Sequence, residues 1–230
     1  MRDLSIRARQ EEQMDAPELD PRTYAKILND LGRVNSWTLA RRPTLSFLSR
    51  AIGRIRHFRL LDVGFGQGDM LRAIALWAQR KGLSADLVGV DLNPKSAPIA
   101  QAATPAGLKI EYRTGDYREL GGFDLIVSNL VAHHMDEEQL RDFLRYMEAE
   151  AKRGWIVNDL HRRGFAYLGY PLLCRMMRWH RIVREDGQLS IARSFRPAEW
   201  RTLLLTAGVD PGAASIVRRF PFRLCVERLR

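Results

Sequence analysis

Short apolar runs alternate along the chain with stretches whose apolar residues recur at helical spacing. The runs fall at residues 58–63, 86–91, 109–112, 123–129 and 155–159. Between them, apolar residues three or four positions apart mark helices, as at Leu71, Ile74, Ala75 and Ala78. Runs of this length are typical of buried strands, and strands that alternate with helices build a parallel sheet. The pattern therefore predicts an α/β fold, a Rossmann-like, mostly parallel sheet with helices on both faces.

Capping residues predict where several helices begin and end. Asp20 and Pro21 are a typical N-cap and first helical residue. Asp136 and Gln139 have the spacing of a capping box, in which each side chain bonds to the other residue's backbone. A last helix is expected over residues 197–207, since a proline opens this stretch and a glycine follows it.

One predicted strand leads directly into a turn rich in glycine. The stretch reads Leu61-Asp62-Val63-Gly64-Phe65-Gly66-Gln67-Gly68-Asp69, and a helical pattern begins after it. Glycine lets the backbone approach a ligand closely, and the helix N-terminus offers unpaired N–H groups. The dinucleotide pattern G-x-G-x-x-G would need a third glycine at the position of Asp69, so that pattern is not met. The turn therefore indicates a different cofactor.

Further motifs follow this turn at ordinary spacing. Asp91 ends the second apolar run, where a carboxylate can accept the ribose hydroxyls of an adenosine. Thr114-Gly115-Asp116-Tyr117 comes next, and then Phe123-Asp-Leu-Ile-Val-Ser-Asn129. Taken in order with the glycine turn, these stretches resemble the motifs of the class I S-adenosylmethionine (SAM) dependent methyltransferases. The resemblance extends over roughly residues 45–210.

The resemblance implies that SAM is the cofactor and S-adenosylhomocysteine the product. It also implies a seven-stranded sheet that closes with an antiparallel pair of strands near the end of the chain. In such enzymes the glycines lie beside the methionine part of SAM, and an acid lies near the adenine amino group. The cofactor-binding residues implied here are Asp62, Gly64, Phe65, Gly66, Gly68, Asp91, Leu92, Asp116, Tyr117 and Asn129.

We expect one domain preceded by a short arm. Residues 1–20 are charged and punctuated by prolines, which indicates a mobile N-terminal arm. The domain, residues 21–230, divides into a helical lid at 21–57, a cofactor-binding core at 58–163, an inserted cap at 164–195, and a C-terminal helix with closing strands at 196–230. The cap should contain an apolar helix, and its polar part from residue 180 to 194 is expected to be a loop.

Composition changes this picture little. The 230 residues include 37 Lys and Arg against 27 Asp and Glu, for a formal net charge of +10. Such an excess can serve nucleic acid or an anionic membrane surface. The basic residues are spread over nearly every segment without a consecutive block, which favours ordinary surface charge.

The cysteines and the apolar content predict the compartment. Cys174 and Cys225 lie far apart and outside any metal-binding spacing, so we expect neither a disulfide framework nor a metal site. The sequence has no N-terminal apolar signal and no run long enough to span a membrane. A cytoplasmic location is therefore expected.

The candidate catalytic bases are His133 and His134. They follow the fourth run, at the carboxyl end where open sheets bind ligands. Histidine exchanges a proton near neutral pH, so either ring can take a phenolic proton, and the sequence does not choose between them. Asp159 is a candidate to orient one of the rings, and His161 is a further candidate at the rim of the site.

An apolar, aromatic stretch at residues 164–179 is expected to form a wall of the acceptor pocket, because ligand pockets are mostly apolar. A dimer face or an ordinary core helix are the alternatives, and a homodimer is left open. A membrane-surface role for Arg175, Arg178 and Arg181 beside Trp179 is a further alternative. The predicted substrate-binding residues are Trp37, His161, Tyr167, Tyr170, Leu172 and Met176.

Missing motifs narrow the chemistry. Ser128-Asn129-Leu-Val stands where amino methyltransferases of nucleic-acid bases have an Asn/Asp-Pro-Pro-aromatic segment. No Pro-Cys pair is present for attack on pyrimidine C5. The histidine pair and the stretches 157–162, 186–190 and 221–223 resemble small-molecule methyltransferases of bacterial phenolic polyketide pathways, a neighbourhood that includes enzymes acting on quinone precursors.

This narrower resemblance implies transfer of a methyl group from SAM to the hydroxyl oxygen of a hydrophobic phenolic small molecule, a polyketide or quinone-type secondary metabolite. An RNA methyltransferase, favoured by the net charge, and a SAM-binding module without transfer activity stay open as alternatives.

Overall fold

A computed structural model describes residues 3–16, 18–210 and 212–230. The strands of the described residues are β1 His57–Val63, β2 Ser84–Asp91, β3 Ile110–Thr114, β4 Phe123–Asn129, β5 Ala151–Leu160, β6 Ala214–Arg219 and β7 Arg223–Leu229. They form one seven-stranded sheet in the order β3-β2-β1-β4-β5-β7-β6. The strands β1 to β5 are parallel, and β7 runs antiparallel to both of its neighbours. The predicted mostly parallel sheet with an antiparallel closing pair is confirmed.

Helices occupy both faces of this sheet. Within the described residues they are α1 Pro21–Trp37, α2 Arg42–Ile52, α3 Asp69–Arg80, α4 Ser96–Ala102, α5 Glu137–Glu150, α6 Gly164–Met176, α7 Arg181–Arg193 and α8 Pro197–Ala207. The predicted caps are present. The Asp20 carboxylate accepts from the backbone N–H groups of Arg22 and Thr23, and Asp136 and Gln139 form the capping box.

Two apolar cores hold the helices on the sheet. On one face, Phe143 of α5 and Trp200 of α8 pack with Trp155 of β5. On the other face, Phe47 of α2 and Leu71 of α3 belong to a second core. Each such fully buried side chain contributes about 1.5–3 kcal/mol through its removal from water. The carboxyl ends of β1 to β5 lie between these layers, which leaves one edge of the sheet available for a site.

A third apolar cluster covers that edge. It joins α1 to α6 and α7 through Ile27, Val34, Cys174, Trp179 and Val183, all of which are buried. We use "cap" for α6 and α7. The division of the domain into a lid, a core and a cap stays a prediction in its functional sense, although α1 and the cap do lie over the carboxyl ends of the strands.

The loop expected at residues 180–194 is a helix instead, α7. The His180 ring nitrogen Nδ1 caps it by accepting from the N–H of Ile182 at 3.3 Å. The stretch looked like a loop because its buried face is partly polar. Asp186 and Ser190 are both buried, since they bind backbone and side-chain groups of residues 12–14.

Residues 3–16, here called the N-terminal segment, lie against α7 and the loop after β4. The Ala8 N–H donates to the Ala192 carbonyl at 3.0 Å, and the Arg7 guanidinium donates to the carbonyls of His133 and Met135. Met1, Arg2 and Pro17, which belong to the predicted mobile arm, are outside the described residues. Mobility itself stays a prediction, but the segment makes specific contacts with the domain.

None of the helices in the described parts of the chain combines the length and the apolar character that crossing a membrane requires.

Candidate active site

A cavity of about 920 Å³ opens at the carboxyl ends of the strands. The end of each of β1, β2, β4 and β5 contributes to its wall, through Val63, Asp91, Asn129 and Leu160. The helix α1 and the cap supply most of the opposite wall. A small pocket continues from it, lined by Asp62 of β1 and by Arg41, which precedes α2. The lining residues that it shares with the cavity include Gly64, Phe65, Asp69, Asn129 and Arg223. This volume suits a cofactor together with a small-molecule acceptor.

The glycine turn forms one end of the cavity. Gly64 and Gly66 have φ values of +75° and +55°, in the left-handed region that favours glycine. A Cβ on Gly64 would lie 2.4 Å from a Val131 methyl group, whereas a Cβ on Gly66 would enter open space. Gly66 therefore leaves room for a ligand against the backbone. Gly68 is the N-cap of α3, and its absent side chain makes room for Tyr112, so it is not part of the cavity wall.

Asp91 fixes the shape of this turn. One oxygen of its carboxylate accepts from the Gly66 N–H at 2.8 Å, and the other accepts from the Asn93 N–H at 2.9 Å. The carboxylate also lines the cavity. Carboxylate oxygens have further lone pairs, so Asp91 can accept ligand hydroxyls without losing the turn.

Asp62 is a buried carboxyl group that lacks full compensation from hydrogen bonds. It is 1% exposed, and neither of its oxygens has a hydrogen-bond partner among the described residues. Burial, reinforced by the nearby Asp69 carboxylate, raises the pKa of Asp62 well above its usual value. Such a group is expensive to bury alone, and an ammonium group of a ligand in the adjoining pocket would stabilise its charge.

These features fit SAM. Asp62 and Asp69 are placed to hold the ammonium group of its methionine part, and Arg41, which is 3.2 Å from Asp69, lies at the same pocket for its carboxylate. Gly66 gives access to the backbone, and Asp91 is placed for the ribose. When bound, SAM supplies a methyl group attached to a positively charged sulfur. The carbon of that methyl group is therefore electrophilic.

The remaining predicted cofactor residues divide into two groups. Phe65, Leu92, Tyr117 and Asn129 line the cavity. The Asn129 side-chain oxygen accepts from Thr44 Oγ1 at 2.6 Å, which holds the end of β4 against α2. Asp116 does not line the cavity, because its carboxylate binds the Arg118 guanidinium and N–H outside it. That bonding lowers the pKa of Asp116.

The two histidines both reach the cavity, on the 3-10 turn Ala132–His134. The His133 side chain is 3% exposed, and its Nδ1 lies 2.8 Å from Asp159 Oδ1. Because a carboxylate only accepts, Nδ1 carries the proton and Nε2 is the acceptor in the neutral ring. His134 is more open, at 31% exposed, and its ring lies 4.3 Å from that of His133.

Asp159 is held as a carboxylate beside His133. Its other oxygen accepts from the His133 N–H at 2.8 Å, and Oδ1 also accepts from the Leu160 N–H. Burial works to raise the pKa of Asp159, but the His133 ring and these N–H donors outweigh it, and the pKa lies below its usual value. An oriented aspartate–histidine pair of this kind fixes the ring and its tautomer.

Glu12 is a member of the site that sequence reasoning missed. It comes from the N-terminal segment and is 4% exposed. Its carboxylate oxygens lie 3.6 Å from His133 Nε2 and 3.8 Å from His134 Nε2. Ser190 donates to it at 2.8 Å, and Arg193 lies 3.8 Å away. No local pattern marks Glu12, since it stands beside another glutamate in a charged segment.

By distance alone, Glu12, His133 and His134 could share a cation. The charges oppose it, because Arg193 and Arg7 already place two guanidinium groups beside the two carboxylates Glu12 and Asp159. Burial, with Arg193 nearby, lowers the pKa of Arg7 to about 10, so it stays charged at neutral pH. The expectation that the enzyme needs no metal stays a prediction.

The predicted acceptor wall is only partly in place. Trp37 and Tyr170 line the cavity, together with Phe165, Ala166, Gly169 and Leu173 of α6. The Tyr170 hydroxyl donates to the Val183 carbonyl at 3.1 Å, and its ring occupies the space beside Gly187 of α7. Phe220, Pro221 and Phe222, between the closing strands, complete this apolar side and were not predicted to belong to the site.

Four predicted substrate residues are not on the cavity. Leu172 and Met176 are 65% and 72% exposed, because a helix turns these positions away when Gly169, Tyr170 and Leu173 face inward. Tyr167 is half-buried, and its carbonyl accepts from Gln188. His161 is buried one position beyond Leu160, and burial among arginines, led by Arg163, lowers its pKa to about 4.

Arg223 is a buried charged residue on the cavity whose hydrogen-bonding groups are not all satisfied. It is 2% exposed and lines both the cavity and the small pocket. One guanidinium nitrogen donates to Thr38 at 3.0 Å, while Nε and Nη1 have no hydrogen-bond partner among the described residues. Burial lowers the pKa of Arg223, and a ligand oxygen would satisfy its free N–H groups.

Comparison with known proteins shows a likeness to methyltransferases. A family model described as a methyltransferase domain matches residues 60–154. The chain is 26% identical over 179 residues to the ubiquinone biosynthesis O-methyltransferase of Bordetella avium, a match that covers 73% of this chain and 68% of that one. It is 29% identical over 167 residues to the enzyme of the same name from Cereibacter sphaeroides, covering 66% of this chain and 60% of that relative.

A solved structure shares the fold. The magnesium protoporphyrin IX methyltransferase of Synechocystis PCC 6803, with bound SAH, superposes with a TM-score of 0.57 at 18% identity, over 95% of this chain and 91% of that one. The methyltransferase-domain match, the curated relatives and the shared fold together support a class I SAM-dependent methyltransferase with SAM as its cofactor.

Proposed function

We propose that the enzyme methylates the hydroxyl oxygen of a hydrophobic phenolic small molecule of the polyketide or quinone type. The observation that carries this proposal is the position of His133, whose ring is oriented by Asp159 in the wall of an apolar cavity that ends at the cofactor turn. The names of the curated relatives, both ubiquinone biosynthesis O-methyltransferases, support an oxygen acceptor of quinone type.

The apolar lining supports the class of acceptor. Aromatic side chains from three parts of the chain, Trp37, Phe165 and Phe222, contribute to one side of the cavity. Flat apolar surfaces of this kind bind an aromatic ring and an attached apolar chain by excluding water. A charged RNA backbone would require basic groups along the wall, and the uncompensated arginine there, Arg223, is a single buried group.

The histidine supplies what a phenol requires. A phenol has a pKa near 10 and is mostly protonated at neutral pH, so removal of its proton accelerates attack by about 10²–10⁴-fold. His133 Nε2 accepts that proton while Nδ1–H stays bonded to Asp159, which stabilises the positive ring. The cavity can align acceptor and cofactor, and alignment can contribute about 7–11 kcal/mol at best.

A methyl-transfer assay tests the proposal. Purified enzyme is given SAM with a labelled methyl group and a set of alkylated phenols, resorcinols and hydroxylated quinol precursors. We expect label in an O-methyl product whose mass is higher by one CH₂ unit. The same assay with total RNA is the control for the alternative function.

The outcomes separate the alternatives. Label in RNA, with salt-sensitive binding, would identify an RNA methyltransferase instead. Tight SAM binding by calorimetry without transfer to any phenol or RNA would identify a binding module. A product methylated on ring carbon would contradict the oxygen assignment.

A further inference from the structure

We propose that Glu12 is a positioning residue for the reaction, and that its carboxylate stabilises the proton-bearing ring of His133 from the side opposite Asp159. This inference rests on the proposed function, because it gives the N-terminal segment a role in proton removal from the acceptor. Nothing in the motifs of the core predicts it, since Glu12 precedes the first helix of the domain.

The geometry places His133 between two carboxylates. Asp159 Oδ1 lies 2.8 Å from Nδ1, and Glu12 Oε1 lies 3.6 Å from Nε2. In the neutral ring, Nε2 presents a lone pair toward a negative group. After Nε2 takes a proton, the same contact becomes an attraction between a cation and a buried carboxylate. The arrangement therefore favours the charged ring that forms as the acceptor loses its proton.

The other charged groups around the ring leave this effect intact. Arg193 of α7 lies 3.8 Å from Glu12, and its guanidinium donates to the His133 carbonyl. Arg7 of the N-terminal segment donates to the same carbonyl, and His134 shares the Glu12 carboxylate at 3.8 Å. The two negative carboxylates, Glu12 and Asp159, thus offset the two positive guanidinium groups. When His133 takes a proton, the group gains a net charge of one, which lies on the ring between the two carboxylates.

The burial of Glu12 favours a role in the reaction over simple packing. A glutamate that is 4% exposed requires compensation, and Ser190 and Arg193 supply part of it. Neighbouring Glu11 is exposed. If the segment served only to cover α7, the exposed position would suit the charge better. Instead the buried carboxylate faces the Nε2 atoms of both histidines.

The segment that carries Glu12 is anchored on both sides of it. Before it, the Arg7 side chain lies 4.0 Å over the Phe195 ring. After it, the N–H groups of Gln13 and Met14 donate to the Asp186 carboxylate at 3.0 and 2.9 Å. These contacts hold the Glu12 side chain at the histidines, as a positioning residue requires.

The test compares Glu12→Gln with Glu11→Gln, which removes the same charge one position away at an exposed site. The readout is kcat for phenol methylation as a function of pH. In Glu12→Gln we expect kcat at neutral pH to fall by about 10-fold or more, since the charged ring is less stable. We also expect the acid limb of the profile to move to lower pH by about one unit, because an opposite charge within about 4–6 Å favours the protonated form. Glu11→Gln should behave as the natural enzyme.

A second measurement does not depend on turnover. The ring protons of His133 and His134 are followed by NMR during a pH titration, with assignments from His133→Asn and His134→Asn. The midpoint of His133 should move to lower pH in Glu12→Gln, and Glu12→Asp, which keeps a carboxylate, should restore most of the shift. If no phenol is methylated by the natural enzyme, the proposed function fails while this titration still decides the role of Glu12.

Two results would overturn the inference. One is a kcat that falls equally at all pH values, with a lower melting temperature and an unmoved His133 midpoint, which is the signature of a purely structural residue. The other is a Glu12→Gln profile indistinguishable from that of Glu11→Gln.

Discussion

Several buried ionisable residues lie at one edge of the sheet, where the cavity opens. Asp62 and Arg223 lack hydrogen-bond partners for named atoms among the described residues, and Asp159 has its partners in His133 and the backbone. A buried polar or charged group without a partner lowers the stability of the protein, and a ligand of opposite charge, or with a matching hydrogen-bonding group, reduces that cost when it binds. Together with their place on the cavity or the adjoining pocket, this is the reason why we propose Asp62 and Arg223 as ligand-binding groups.

The first prediction concerns the two histidines. His133→Gln should lower kcat by about 10²–10⁴-fold, because its ring is the one that Asp159 orients. His134→Gln should lower kcat much less, since the His134 side chain is 31% exposed and lies 3.8 Å from Glu12, whereas His133 is buried and lies 2.8 Å from Asp159. The measurement is steady-state kinetics, with SAM affinity by calorimetry to show an intact cofactor site. A larger loss in His134→Gln would assign the base to His134.

The second prediction separates two acids that the sequence assigned to the cofactor. Asp91→Ala should weaken SAM binding by about 1–3 kcal/mol, since it removes an acceptor on the cavity wall and loosens the glycine turn. Asp116→Ala is the matched control and should leave SAM affinity nearly unchanged, because this carboxylate binds Arg118 outside the cavity. If calorimetry shows an equal loss of SAM affinity in both variants, Asp116 contributes to cofactor binding as the sequence predicted.

Elements with strong periodicity were predicted well, and elements whose partners are distant in sequence were not. The strands were predicted from their apolar runs, and α3 from apolar residues three or four positions apart. The helix α7 was missed because two of its buried positions are polar. Asp186 and Ser190 make hydrogen bonds with the N-terminal segment. Such a face has no apolar period, so pattern reasoning assigns it to a loop.

The candidate site shows the same limit. The glycine turn, Asp91 and the histidine pair were found because their motifs are local. Glu12 and Phe222 reach the cavity through tertiary packing, which no spacing along the chain records. On α6, the sequence identified the right helix but not its inward face, since apolar residues occur on both sides of it.

The third prediction tests that face of α6. Phe165 and Leu172 are both large, apolar and mostly exposed, at 76% and 65%, but only Phe165 belongs to the cavity lining. Phe165→Ala should raise the acceptor KM by about 5–30-fold, which corresponds to about 1–2 kcal/mol of lost apolar contact. Leu172→Ala should leave the acceptor KM unchanged. Unchanged kinetics in both variants would show that the acceptor binds away from α6.

At the scale of the whole molecule, stability should depend on a buried neutral histidine. The folded state lowers the pKa of His161 to about 4, mainly through burial. An unfolded chain has an ordinary histidine pKa of about 6.5, so between these values it binds more protons than the folded chain. Folding stability is therefore lost as the pH falls from about 6.5 toward 4.

This fourth prediction is checked by chemical unfolding at pH 7 and pH 5. The natural protein should lose more stability between the two values than His161→Asn does, because the variant removes the titrating group. His57, which is exposed at the start of β1, provides the control substitution His57→Asn. If His161→Asn shows the same loss as the natural protein, another group dominates the pH dependence.

The anchoring of the N-terminal segment has a practical consequence for anyone who handles this protein. Glu12 precedes the first α-helix, yet it reaches the histidines in the middle of the chain. If Glu12 has the proposed role, a shortened chain that starts at the first helix loses the carboxylate beside the histidines, and it also leaves buried Asp186 and Ser190 without these partners. We expect such a preparation to be recorded as inactive.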